Sequence, residues 1–139
     1  MTTQKSIITD NMLGLGTDII EIDRIRSSVS TYQNRFLNKI FTPKEQEYCL
    51  SHRDPSPSLA ARFAAKEAAA KALGCGFGKQ LSWLDLEILN NEQGRPTIQC
   101  SNTQFHSPLF LLSMSHCRQY AVATVIWVKT AKRATDNEE

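Results

Sequence analysis

The segment that most constrains this chain is an alanine-rich stretch in its middle. Eight of the thirteen residues from Ala60 to Ala72 are alanine, the residue with the highest helix propensity. Ser56 can cap a helix, Pro57 suits the first helical position, and Gly74 is typical of a helix end. Because alanine side chains let another backbone approach closely, we expect this helix to be central and tightly packed.

Three shorter elements are predicted ahead of this helix. The residues from Met12 to Ile20 predict a first strand. Apolar residues then recur at helical spacing from Ile22 to Val29, which predicts a short helix. The sequence Thr42-Pro43-Lys44-Glu45 holds a capping threonine, a proline at the first helical position and a glutamate that can bond back to the cap. It predicts a helix that runs to about Ser51.

After the alanine-rich helix the apolar period changes from helical to alternating. Apolar residues alternate over 84–88 and turn residues fill 90–94, so we expect a hairpin that returns over 97–100. A second hairpin is predicted from strands at about 110–115 and 120–128. The order predicts an α+β fold, with an N-terminal strand, several helices around the alanine-rich one, and then mostly antiparallel hairpins.

The chain length of 139 residues suits one domain. We expect that domain to span residues 12–128, between a mobile N-terminal extension at 1–11 and a mobile C-terminal tail at 129–139. The sequence shows neither a signal peptide nor an apolar run near the roughly 20 residues that span a bilayer. Its four cysteines form no C-x-x-C pair. These features predict a cytoplasmic protein with reduced thiols and no membrane partner.

The charge of the chain is unevenly distributed. Its formal net charge is only +2, but the segment from Arg24 to Lys71 holds nine basic and four acidic residues. A basic segment within a nearly neutral chain suggests a local anionic partner, such as a phosphate group or an acidic protein. The alternative is a set of solvated helix faces. The low net charge gives no reason to expect a nucleic-acid partner.

Glu67 and Lys71 are candidate chemical groups on the alanine-rich helix. With Phe63 they lie four residues apart, so the three side chains share one helix face. Arg62 and Lys66 form a second row beside them. The simplest interpretation is a surface ion pair, which contributes about 0.3–0.5 kcal/mol. A largely enclosed helix favours a functional role instead, because enclosed charges need partners.

Asp18 is a candidate at the end of the first strand, after Gly14-Leu15-Gly16-Thr17. If the fold brings Asp18 beside Glu67, the two carboxylates would offer hard oxygen ligands for Mg²⁺. That ion usually takes one or two carboxylates and completes its shell with water and phosphate oxygens. The alternative is that Asp18 caps the following helix.

Two further motifs could bind phosphate or substrate. The loop Gly74-Cys75-Gly76-Phe77-Gly78 follows a helix, whereas a P-loop precedes one, so a helix stop is the safer interpretation. Exposed amides in such a loop can still bind an anion. Ser115 and His116 are adjacent on a predicted strand and point to opposite faces, which argues against a nucleophile and base pair. We therefore prefer His116 as a ligand-binding group over an ordinary turn histidine.

Three stretches together resemble the holo-[acyl-carrier-protein] synthase family, the small bacterial 4′-phosphopantetheinyl transferases. They are GLGTDIIEIDRI at Gly14 to Ile25, RFAAKEAAAKALGCGFG at Arg62 to Gly78, and QGRP with LSMSH further on. The resemblance covers about Leu13 to Val128, nearly the whole chain. It implies transfer of the 4′-phosphopantetheine arm of coenzyme A to a serine of apo acyl carrier protein, which releases adenosine 3′,5′-bisphosphate and supports fatty acid biosynthesis.

The resemblance also assigns roles to individual residues. Asp18 and Glu67 match Mg²⁺ ligands, and Lys71 matches a lysine near the pyrophosphate of coenzyme A, so these three are the catalytic candidates. Residues near the 3′-phosphate and adenosine are implied as well: Arg62, Lys66, Gly74, Gly76, Ser115 and His116.

The resemblance further implies the partners of this chain. Arg24 and Arg35 match basic positions that face the acidic helix of the carrier. The resemblance implies a homotrimer with active sites in clefts between neighbouring subunits. A different class of function stays open, namely a non-catalytic trimeric module that holds a nucleotide or an acidic protein. Such a module would bind adenosine phosphates without any dependence on metal.

Overall fold

The computed structural model of the protein describes residues 10–129, and the α+β prediction is confirmed. The predicted extension at 1–11 and tail at 129–139 lie almost entirely outside this range. Among the described residues, the Lys129 amide donates to the Asn11 carbonyl and so extends the pairing of the first and last strands by one step. The helices and strands follow one another in the order β1 Met12–Glu21, α1 Ile22–Tyr32, α2 Asn34–Ile40, α3 Pro43–Leu50, α4 Ser56–Leu73, β2 Leu86–Asn90, β3 Pro96–Cys100, β4 Leu109–His116 and β5 Tyr120–Val128.

The strands form two antiparallel sheets. One has the order β1–β5–β4, with Asp18 opposite Ala123 and Ser115 opposite Val122. The other is the β2–β3 hairpin, in which Ile88 faces Ile98. Both predicted hairpins are therefore confirmed, and the N-terminal strand joins the second of them along β5.

Helix α4 packs directly on strand β1, and two glycines of β1 permit this contact. A Cβ atom at Gly14 would lie 1.8 Å from the carbonyl oxygen of Ala72, and one at Gly16 would lie 1.9 Å from that of Ala68. Any side chain at either position would clash with the helix backbone. The close approach confirms the expectation from the alanine content and holds Asp18, further along β1, next to the last turns of α4.

Helix α3 begins as the sequence predicts. Thr42 Oγ1 accepts a hydrogen bond from the Glu45 amide at 3.3 Å, and Glu45 Oε1 accepts one from the Thr42 amide at 2.8 Å. The other oxygen of Glu45 accepts from the Ile88 amide at 2.8 Å. One buried glutamate therefore joins the start of α3 to strand β2.

Two local predictions need correction, and one helix was missed. Ser56 does not cap α4 through its side chain; its amide donates to Asp54 Oδ1 at 3.1 Å, so the acceptor lies two residues earlier. Leu84 is exposed in a 3₁₀ turn at Trp83–Asp85, because Ser82 and Asp85 cap each other there and strand β2 starts only afterwards. Helix α2 was not predicted from the sequence. Only two of its seven residues, Leu37 and Ile40, are buried, so few positions carry an apolar pattern.

Two other predictions can be compared with the described residues. All four cysteines are free in the structure. Between residues 10 and 129, no helix combines the length and the apolarity that crossing a bilayer requires.

Candidate active site

Asp18, Glu67 and Lys71 meet where strand β1 crosses helix α4. Lys71 Nζ lies 3.3 Å from Asp18 Oδ1 and also donates to the Thr17 carbonyl at 2.9 Å. Glu67 lies one helical turn before Lys71, and its ionisation responds to the charges of both Asp18 and Lys71. The structure therefore brings the three catalytic candidates together.

The electrostatics of this cluster centre on Glu67. Partial burial raises the pKa of Glu67, the nearby charge of Asp18 raises it further, and Lys71 opposes both effects. Two neighbouring carboxylates disfavour each other's ionised form, and a cation placed between them relieves that repulsion. The cluster is thus a carboxylate pair whose repulsion Lys71 partly compensates.

The donor set of this cluster fits a hard divalent cation of the Mg²⁺ type. Asp18 and Glu67 supply carboxylate oxygens, which such an ion prefers, and Mg²⁺ commonly takes only one or two of them. Within the part of the chain that the structure describes, no group of three or more His, Cys, Asp or Glu residues could hold a metal. A cation here would need water or ligand oxygens to complete its shell.

Arg62 lies in a second candidate region, a cavity of about 430 Å³. Its guanidinium carbon lies 4.4 Å from the centre of the Tyr48 ring, and its Nη1 donates to Ser58 Oγ at 3.0 Å. Although the residue is only 4% exposed, its Nε has no hydrogen-bond partner among residues 10–129. A buried cation with an unsatisfied donor is suited to an anionic ligand.

Ser115 and His116 line the same cavity as Arg62. They reach it from the end of strand β4, whereas Arg62 reaches it from helix α4. The structure therefore places three of the residues that the sequence linked to coenzyme A in one pocket. Tyr48 and His52, which sequence reasoning missed, also line this pocket.

Lys66 is fully buried and does not line the Arg62 cavity. Its Nζ lies 2.7 Å from Glu45 Oε1 and donates to the carbonyls of Ile40 at 2.7 Å and Trp83 at 3.1 Å. Burial lowers the pKa of Lys66, and the charge of Glu45 partly offsets that effect. Its three donors are used internally, so this placement does not support the expectation that Lys66 contacts coenzyme A.

The glycine loop after α4 behaves as a helix stop. Gly74 adopts a left-handed conformation with φ of 77°, and its amide donates to the Lys71 carbonyl at 3.0 Å. The Cys75 amide donates to the Ala70 carbonyl at 3.0 Å. These two amides are therefore not available to a phosphate. Gly76 is exposed with open space around its Cα, and neither glycine lines the Arg62 cavity.

The basic stretch of the sequence separates into internal and exposed groups. Lys66 and Arg62 are enclosed, whereas Arg24 on α1 and Arg35 on α2 are exposed. Arg35 lines a surface pocket of about 270 Å³ together with Tyr32, Phe36 and Lys39. The two arginines expected to face a carrier are thus accessible on neighbouring helices.

Comparisons with known proteins show which family this chain belongs to. Residues 14–125 match the model of the 4′-phosphopantetheinyl transferase superfamily, and the chain belongs to that superfamily. Curated relatives specify the branch. A holo-[acyl-carrier-protein] synthase of Protochlamydia amoebophila is 53% identical over 118 residues, which cover 83% of this chain and 97% of that protein. A protein of the same name from Chlamydia muridarum is 55% identical, with 83% and 94% covered.

Solved structures of holo-[acyl-carrier-protein] synthases have the same fold. The Bacillus anthracis enzyme, in complex with CoA (3′,5′-ADP), is 34% identical with a TM-score of 0.76, over 86% of this chain and 99% of that one. The Helicobacter pylori enzyme, in complex with coenzyme A, is 35% identical with a TM-score of 0.74, over 81% and 98%. The family resemblance inferred from the sequence is confirmed.

Proposed function

We propose that this protein is a holo-[acyl-carrier-protein] synthase. It transfers 4′-phosphopantetheine from coenzyme A to a serine of apo acyl carrier protein, releases adenosine 3′,5′-bisphosphate, and so supplies holo carrier for fatty acid biosynthesis. The observation that carries the proposal is the distribution of charge along α4. Arg62, in the first half of α4, offers a buried cation to an anion, and Glu67 and Lys71, in its second half, form an acid–base cluster with Asp18 of β1.

The chemistry assigns a task to each group of the cluster. The serine oxygen forms a bond to the pyrophosphate phosphorus next to the pantetheine arm, and the bond from that phosphorus to the bridging oxygen breaks. Glu67, whose pKa is raised by burial and by Asp18, accepts the serine proton. Lys71 stabilises the charge that develops on the departing phosphate. Asp18 and Glu67 would hold Mg²⁺, which when bound neutralises pyrophosphate charge and helps to align the reacting groups.

We further propose that the active site lies between two subunits of a homotrimer. Successive helical residues are rotated by roughly 100°, so Arg62 and Lys71 project from opposite sides of α4. One coenzyme A molecule would therefore meet the Arg62 cavity of one chain and the Asp18–Lys71 pair of another. This arrangement agrees with the cleft position implied by the family resemblance.

A large apolar face supports the trimer. On the β1–β5–β4 sheet, the face turned away from α4 exposes Leu15 by 61%, Ile19 by 65% and Leu111 by 59%. Their neighbours across the ladder, Val122 and Ile126, extend this apolar surface. Exposed apolar patches of this kind mark protein interfaces. We propose that this apolar face packs against neighbouring copies of the chain in the trimer.

The carrier is proposed to bind along α1 and α2 through Arg24 and Arg35. Both are exposed cations, and the surface pocket beside Arg35 adds two aromatic side chains, Tyr32 and Phe36. An acidic helix would be attracted to this surface, and the attraction would weaken as salt shortens the screening length. A Michaelis constant for the carrier that does not change with salt would contradict this arrangement.

The deciding experiment is mass spectrometry of an apo carrier incubated with the protein, coenzyme A and Mg²⁺. We expect a mass gain of one phosphopantetheine group, which a chelator abolishes and added Mg²⁺ restores. A mass gain that persists in chelator would contradict the role of the metal. If the carrier gains no mass although the protein still binds adenosine 3′,5′-bisphosphate, the protein is the non-catalytic module and not the enzyme.

A further inference from the structure

Asp54 is an acidic residue in a groove that we propose holds phosphates. It lines the Arg62 cavity and also a neighbouring cavity of about 480 Å³ that Arg26, Cys117 and Arg118 line. The two cavities share Asp54, Pro57 and His116, so they form one continuous groove. A bare carboxylate at this junction would repel a polyanionic ligand.

Both oxygens of Asp54 are engaged in the structure. Oδ1 accepts the Ser56 amide at 3.1 Å, which fixes the start of α4, and Oδ2 lies 2.8 Å from Arg26 Nη2. The Ser56 amide and then Arg26 lower the pKa of Asp54, so the carboxylate is ionised at neutral pH. Arg26 also forms an ion pair with Asp23 on its own helix.

We infer that Arg26 is a positioning residue that neutralises Asp54 and holds its carboxylate away from the phosphates of the nucleotide. The inference rests on the proposed function, because it takes the groove to receive the phosphorylated adenosine of coenzyme A. It adds a residue of helix α1 to a site lined by helices α3 and α4 and by strands β2, β3 and β4. Neither Arg26 nor Asp54 was assigned a role from the sequence.

Direct binding of adenosine 3′,5′-bisphosphate, measured by calorimetry on the full chain, tests the inference. We expect Arg26→Ala to weaken binding about 3- to 10-fold, the effect of one uncompensated charge a few ångströms from a phosphate at a dielectric close to that of water, because Arg26 and Asp54 are both substantially exposed. Arg26→Lys, which keeps the charge, should bind nearly as the wild type does. Lys44→Ala is the control, because it removes an exposed basic residue of helix α3 that lines neither cavity.

The decisive comparison is the double variant Arg26→Ala/Asp54→Asn. Removing the carboxylate removes the need for compensation, so the double variant should recover the affinity of Asp54→Asn alone. A loss in the double variant equal to that of Arg26→Ala would overturn the inference and show that Arg26 acts without Asp54. Thermal unfolding of each variant verifies that the fold is intact.

Ligand charge and salt supply a second test. The penalty of Arg26→Ala should shrink for adenosine 5′-monophosphate, which lacks the 3′-phosphate, and should shrink as salt rises. A penalty independent of both would also overturn the inference. If the wild type fails to bind adenosine 3′,5′-bisphosphate at all, the proposed function fails before Arg26 is tested, so the two failures are distinguishable.

Discussion

Lys66 and Glu45 form a fully enclosed ion pair, with 2.7 Å between Nζ and Oε1 and no solvent exposure of either side chain. The pair joins α4 to the start of α3, and through Glu45 to strand β2. Removing one member of such a pair leaves the other charge buried without compensation, and this usually costs more than the intact pair contributes. Lys66 therefore stabilises the fold by its presence, although the family resemblance implied a contact with coenzyme A.

We predict that Lys66→Met destabilises the protein by about 3–5 kcal/mol. Urea unfolding measures this change from the shift in the midpoint at a constant slope. Lys71→Met is the matched control, because it makes the same substitution on the same helix at an exposed position. The control should change stability by less than about 1 kcal/mol. Equal effects of the two substitutions would contradict the importance of the buried pair.

Gly16→Ala should be among the most damaging small substitutions in the chain. The added Cβ would lie 1.9 Å from the Ala68 carbonyl oxygen, and helix backbone cannot move aside as a side chain can. We expect a loss of about 3 kcal/mol or more, at the upper end of overpacking effects, measured by urea unfolding. Gly76→Ala is the control, since a Cβ there meets open space. A tolerated Gly16→Ala would mean that β1 and α4 are not held in this contact.

The sequence predicted these features unequally, because it encodes local relationships more directly than distant ones. The alanine content indicated a close backbone approach, and the spacing of Glu67 and Lys71 indicated a shared helix face. By contrast, Lys66 and Glu45 lie 21 residues apart, and nothing local indicates that they meet. Arg26 and Asp54 pair across 28 residues. Only the fold shows which basic residues are internal partners and which are exposed.

Glu67→Gln and Lys71→Ala should each reduce turnover by at least about 100-fold, because proton transfer and charge stabilisation in the transition state typically contribute that much. Initial rates of carrier modification measure the effect, with circular dichroism to confirm unchanged folding. Glu47→Gln, on the exposed surface of α3, is a control that should leave turnover unchanged. Near-normal turnover in both site variants would refute the catalytic assignment.

Glu67 should also make folding stability depend on pH in a defined direction. Burial and the charge of Asp18 raise the pKa of Glu67 in the folded chain above its unfolded value. Ionisation is then harder in the folded state, so the protein loses stability as pH rises from the unfolded pKa through the folded pKa. Above the folded pKa the loss is complete.

Glu67→Gln cannot ionise and should lack this loss. In chelator, its thermal midpoint should therefore exceed that of the wild type at pH 7, and the difference should shrink as pH falls below the ordinary range of a glutamate. Differential scanning calorimetry across this pH range provides the measurement. A wild type that is the more stable of the two at pH 7 would mean that Glu67 has a compensating partner.

Ile19→Glu should separate the subunits of the proposed trimer. Ile19 lies on the apolar face of the β1–β5–β4 sheet, and a carboxylate there would be buried without a partner in the assembly. Light scattering after size-exclusion chromatography should show trimers for the wild type and monomers for the variant, with carrier modification lost. Leu50→Glu, an exposed apolar position on α3, is the control and should remain trimeric. A monomeric Ile19→Glu variant that retains full activity would mean that one chain holds the whole site, contrary to the opposite projection of Arg62 and Lys71.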